Sequence, residues 1–101
     1  MKASSSQDEI VFEMPADCSS NQAILALSEE IREALERQHP KRLVLDGSRV
    51  IRLGSVAIGT LATLAKEIET MGGTLILKSF TPPARRPFEI CRVARQFNWE
   101  D

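Results

Sequence analysis

The chain has no charge surplus: 13 basic against 14 acidic residues leave a net charge of -1. Attraction to nucleic-acid phosphates needs a basic excess, so no nucleic-acid partner is expected. No apolar run approaches the ~20 residues of a membrane span, so direct membrane insertion is not expected either. The first residues, MKASSSQDE, lack the apolar core of a secretory signal, which makes the cytoplasm the expected compartment. Histidine occurs once, at His39, and cysteine twice, at Cys18 and Cys91, with no CxxC pair and no metal-ligand spacing. No cofactor or metal is expected; both thiols read as reduced, one of them buried on a helix face. The phosphate loop GxxxxGK[ST], GxGxxG and HExxH are all absent. Ser55 has no sequence neighbour that would activate it as a nucleophile, so catalysis is not expected.

What remains is an ordinary globular composition, 43% hydrophobic and 27% charged in 101 residues, enough for one domain with one core. There is no repeat and no low-complexity linker. Residues 1–7 are polar and serine-rich and are expected as a flexible tail, with the folded domain over 8–101. Ile10 to Met14 is β-rich and stops at Pro15. Ala23, Ile24, Leu27, Ile31, Ala34 and Leu35 recur at helical spacing, and Pro40 ends that helix near Gln38. His39 reads as a surface or capping residue there. Leu43 to Leu45 is apolar on consecutive residues, as in a strand that is central or buried on both faces.

A second helix starts near Ser55. Its inner stripe is expected from Val56, Ala57, Leu61, Leu64, Ala65 and Ile68, and its stop from Gly72 and Gly73. Gly59 inside it has two readings, close packing against a neighbour or a flat spot for a partner. A strand from Thr74 to Leu77 follows. The last helix is expected to become regular near Arg86 or Pro87, because Pro87 would otherwise lie in its interior, and to end around Phe97. Trp99 either packs back on the core or stays exposed. The order β-α-β-α-β-α implies an α/β domain with right-handed crossovers and a mostly parallel or mixed sheet of about four to five strands, helices packed against it.

The stretch from Lys41 to Leu64 concentrates the interest. It passes from a strand end at Asp46 through a turn at Arg52 to Ser55 into a helix N-terminus, where an open α/β sheet places its ligand or switch site. LVLDGS, then LGSVAIGTL, then the GGTLIL run at 72–77 and TPPARR at 81–86, resemble a STAS domain, the fold of bacterial anti-sigma factor antagonists, over about Ile10 to Phe97. The family often has a further strand before the first, here expected to be absent or rudimentary. On the family pattern Asp46 matches the strand-end aspartate. Gly54 stands where the motif has aspartate, Ser55 matches the first motif serine, and Val56 stands on the second, the serine phosphorylated in the best-known members. Ala57, Ile58 and Gly59 take the glycine, leucine and second glycine positions. Arg92 stands where a glycine often ends part of the last helix, which is expected to let that helix run on. The RLGS-type motif also resembles the subgroup found with chemotaxis and two-component genes.

The resemblance implies a non-catalytic regulatory module in bacterial signal transduction and transcription regulation. It would dock a kinase/anti-sigma or chemotaxis-type protein through Arg52, Gly54, Ser55, Thr60 and Thr63. Ser55 is then either a phosphorylation site or a helix N-cap. The alternatives are a small STAS subunit of a membrane lipid-transport or stress complex, and an enzyme or nucleotide-binding protein of the same topology. Neighbouring transporter genes would favour the former and a tightly bound small molecule the latter.

Overall fold

The computed structural model describes residues 3–5 and 8–100. In chain order the elements are β1 (Ala3–Ser5), β2 (Glu9–Glu13), β3 (Asp17–Cys18), α1 (Asn21–Gln38), β4 (Arg42–Asp46), β5 (Arg52–Leu53), α2 (Ser55–Thr70), β6 (Thr74–Lys78), α3 (Pro82–Ile90), a 3-10 turn (Ala94–Gln96) and β7 (Asn98–Glu100).

The main sheet has the order β1-β2-β4-β6-β7; β1 is antiparallel to its neighbour and the other pairs are parallel. This is the α/β architecture expected. Each crossover steps the same way along the sheet, so right-handedness puts all three helices on one face. Register aligns Ile10, Leu43 and Leu75 in one row and Phe12, Leu45, Leu77 and Trp99 in another. These rows face the helices. Val11, Val44 and Ile76 form the row between them, on the reverse face. Burial of Val44 and Ile76 explains why β4 and β6 are apolar on consecutive residues. On that reverse face Arg42 of β4 bonds Glu9 of β2 and, past β6, Glu100 of β7, at 3.0 Å each.

The helices bury the stripes their spacing sets. α1 contributes Ile24, Leu27, Ile31, Ala34 and Leu35, with Ser20 as its N-cap, accepting from the N–H of Ala23 at 3.0 Å. His39 closes it in the left-handed region at φ 44°, a surface cap as expected. α2 buries Ala57, Ile58, Leu61, Leu64 and Ile68. Val56 is not in that stripe: it precedes Ala57 by one residue, a rotation of about 100°, and lies outside. Gly59 has no neighbour within 4 Å of where a Cβ would stand, so close packing is not its reason.

Four further expectations are corrected. Residues 3–5 of the expected tail pair with β2 as its antiparallel edge strand, so the further strand expected as absent or rudimentary is present in a short, three-residue form; residues 1, 2, 6 and 7 lie outside the described residues. α3 starts at Pro82, because proline fits a first turn, and it carries Pro87 in its interior, at the cost of that residue's hydrogen bond. It stops at Ile90 rather than near Phe97, since Arg92 takes the left-handed conformation at φ 58°. The buried cysteine, Cys18, is on β3 and not on a helix; Cys91 is exposed. Burial pushes the Cys18 thiol up to about 11, and it donates to the carbonyl of Pro15 at 3.2 Å, so it stays protonated at neutral pH.

The early stop of α3 leaves chain for β7. Trp99 packs back: its indole N–H donates to the Ala94 carbonyl at 2.8 Å, and it meets Phe80 and Phe88 edge to face at 5.6 and 5.1 Å. Phe88 is fully buried at the centre of this cluster.

Candidate functional site

Helices that return antiparallel to parallel strands begin above the strands' carboxyl ends, and there the chain between β4 and α2 is organised. At the end of β4 the carboxylate of Asp46 accepts from the Ser48 N–H at 2.9 Å, an Asx turn that reverses the chain. The Gly47 N–H donates to the Lys78 carbonyl at 2.9 Å. A Cβ on Gly47 would lie 2.4 Å from the ring of Phe80, so only glycine lets that ring cover the turn. Val50 drops into the core and Ile51 is thrown out, 79% exposed.

A second, two-stranded sheet then fixes the loop. β5 runs parallel to β3, with Arg52 opposite Asp17 and Leu53 opposite Cys18. Asp17 accepts from both the hydroxyl and the N–H of Ser19, which hold its carboxyl below the usual range, with Arg52 adding to the effect. The same strand pair places the Gly54 N–H 3.4 Å from the Cys18 carbonyl.

Gly54 is the N-cap of α2. Its backbone is extended, at φ -97° and ψ 172°, and its carbonyl accepts from the Ile58 N–H at 3.3 Å. Ser55 is therefore the first helical residue, not the cap, and no side chain caps this helix. The first turn also holds no acidic residue. Its free N–H groups and positive dipole end face outward with Ser55 and Val56, both exposed.

The expected site residues thus divide. Arg52, Gly54 and Ser55 come together at the loop and helix start. Asp46 is half-buried behind them and engaged in its own turn. Thr60 lies half-buried on the flank of α2 that faces α1, and Thr63 is exposed one turn on, its hydroxyl donating back to the Gly59 carbonyl at 3.1 Å.

Three apolar residues escaped the sequence reading of the site. Ile51 and Val56 are 79% and 51% exposed, and Leu25 on α1 is 59% exposed. Arg32 of α1 bonds Glu67 of α2 at 3.2 Å across the seam between the two helices. Seven residues earlier on each stand Leu25 and Thr60, two turns back along the same seam. Leu25 therefore flanks the α2 N-terminus. The signal was present in the sequence, since neither Leu25 nor Val56 falls on its helix's i, i+3, i+4 stripe.

Among the described residues no helix is long and apolar enough to cross a membrane, and no group of His, Cys, Asp and Glu could hold a metal ion. The STAS domain family matches residues 8–101. No curated protein matches the chain in sequence. Solved structures do match in fold. Unphosphorylated SpoIIAA, an anti-sigma factor antagonist, superposes with a TM-score of 0.82 at 15% identity, over 97% of this chain and 85% of that one. A putative anti-sigma factor antagonist from Thermotoga maritima gives 0.84 at 18% identity, over 99% and 85%. SpoIIAA of Bacillus in its phosphorylated form gives 0.74 at 15%, over 97% and 88%.

Proposed function

The chain belongs to the STAS domain family, and from that premise we propose that it is a non-catalytic docking module of bacterial signal transduction whose partner is a kinase/anti-sigma or chemotaxis-type protein. The observation that carries the reading is the exposed apolar trio Leu25, Ile51 and Val56 around an uncapped, acid-free helix start. Exposed aliphatics on the segments around the α2 start, beside Arg52 and Ser55 and two turns from Thr63 on the same helix, have the make-up of a protein contact. Gly59 adds a bare backbone spot on the same helix, open to a partner's approach. Thr60 extends the contact into the α1–α2 seam.

Regulation falls to Ser55. Val56 has no hydroxyl, and Ser55 is exposed and not spent on capping. A phosphate on this residue would meet the free N–H groups and the dipole of α2, with Arg52 close in sequence, so the modified form is physically accommodated. Its charge would stand among the three aliphatics and oppose their burial by the partner.

The test is capture of partners by tagged protein from lysate of the source organism, run beside a Val56→Asp variant. An aspartate in the first turn favours the helix, so the variant keeps its thermal stability. It should lose roughly tenfold in affinity, as for a central contact residue. Recovery of a kinase, anti-sigma or chemotaxis-type protein by the native chain and its loss by Val56→Asp supports docking here. Equal recovery by both, or recovery of transporter subunits alone, sinks the reading. Ser55→Asp, measured on the same partner, should also weaken docking; unchanged affinity would remove the switch and leave the docking site.

A further inference from the structure

α3 runs back against the strands, so its last turn lies at the end of the helix layer opposite Ser55. Ile90 there is 71% exposed. Arg86 precedes it by one turn on the same face, and Arg92 and Arg95 follow it. Among the described residues none of these three arginines takes part in an ion pair. Arg85 differs, because its guanidinium lies 4.6 Å over the Trp99 ring and serves the fold. Arg92 and Arg95 border an open concavity of about 560 Å³, completed by Glu89 and Ala94.

Arg92 is the informative member. It holds the left-handed conformation at φ 58° that ends α3, a position where glycine is the unstrained choice. Its side chain is exposed, so the fold gains no buried contact in return. A strained residue whose side chain does nothing for the fold points to use by something outside it.

We infer that the α3 terminus is a second docking surface, and that its occupant is an acidic segment of a protein that also offers an aliphatic side chain to Ile90. Charge complementarity carries the choice. Leaving Arg85 aside, the surface holds Arg86, Arg92 and Arg95 against Glu89 alone, in a chain whose net charge is -1. A bilayer suits the surface less well, since among the described residues Ile90 is the one large aliphatic exposed there, and membrane binding scales with the apolar area buried. The surface is independent of the docking reading at Ser55, from which α2 separates it.

The experiment is an amide NMR titration of the full chain with a twelve-residue peptide of glutamates carrying leucine at every fourth position. The expected result is a set of shifts confined to Arg86, Ile90 and residues 92–95 that fades as salt is raised. Arg92→Gly should weaken the peptide about threefold while raising Tm by several degrees, because glycine relieves the backbone. The double variant Arg92→Glu/Arg95→Glu should abolish it. A structural role for Arg92 cannot produce binding loss together with a gain in stability. Absence of shifts at these residues overturns the proposal, as does equal peptide affinity in Arg92→Gly. So does tighter binding to vesicles containing phosphatidylserine than to the peptide, or the same shifts arising from protein concentration alone, which would assign the surface to a second copy.

Discussion

α2 and α3 stop by the same hydrogen-bond pattern, with opposite kinds of residue in the turn. At the end of α2 the Gly72 N–H bonds the Glu69 carbonyl at 3.0 Å and the Gly73 N–H bonds that of Ile68 at 2.9 Å. At the end of α3 the Arg92 N–H bonds Glu89 and the Val93 N–H bonds Phe88, both at 3.0 Å. Both are Schellman turns, in which one residue must enter the left-handed region. Gly72 does so at φ 87° and Arg92 at φ 58°. The first end uses the residue that costs nothing there. The second accepts strain; the turn itself brings Val93 against the core and lets the chain form β7, which a glycine there would do as well. A turn that only has to end a helix is made of glycine. One that holds a charged side chain in solvent has a further demand on it.

The largest effect expected on this comparison comes from the neighbour of the first turn. A Cβ on Gly73 would stand 2.8 Å from the carbonyl oxygen of Pro40 and 3.0 Å from a methyl of Ile68. The first of these is backbone and cannot swing aside. Gly73→Ala should therefore cost about 1–3 kcal/mol, as overpacking does. Urea denaturation of the two proteins measures it; a loss below a few tenths would mean that Lys41 and Thr74, which share a 2.9 Å hydrogen bond there, can move apart freely.

Next come the two left-handed residues, tested against each other. A Cβ at Gly72 meets no atom within 4 Å, so Gly72→Ala changes conformational cost and nothing else. It should lose about 1 kcal/mol: left-handed strain of roughly 1–2, less the entropy that alanine removes from the unfolded chain. Arg92→Gly should gain a similar or smaller amount by the same denaturation measurement. Mirror-image changes would establish that strain alone separates the two turns. A loss on Arg92→Gly would mean that the arginine supports the fold.

The same contrast explains what could be read from the residues. Gly72 and Gly73 announced their turn, and both helix spacings gave the buried stripes of α1 and the body of α2. Arg92 stands where the family pattern has a helix-ending glycine, and the arginine masks that stop, because the residues that hold its conformation, Phe88 and Val93, act through packing that spacing does not reveal. The error at Arg92 then concealed β7, three residues whose place depends on Trp99 reaching Phe80 and Phe88. At the site, Asp46, Arg52 and Ser55 are local to one loop, so their grouping was legible, while the cap fell to Gly54 and not to Ser55. Leu25 could not be joined to them from sequence, because the α1–α2 seam that brings it there is made by tertiary packing.

The smallest effect tests the cap of α2. Gly54 is the N-cap without a positive φ, and the atoms nearest a Cβ there belong to Ser19 at 3.6 Å, an ordinary contact. A side chain fits, so Gly54→Ser can place a hydroxyl on the free N–H groups of the first turn. The gain should be only a few tenths of a kcal/mol, since glycine is itself an adequate cap. Its value lies in what it does to Ser55. If partner docking uses the bare N–H groups of α2, occupying them with a hydroxyl should weaken docking while stability rises slightly, read by calorimetry on the captured partner. If docking rests on Leu25, Ile51 and Val56 alone, the affinity should not move. The two results would divide the site between its helix end and its apolar rim, which the native sequence keeps together by leaving that cap without a side chain.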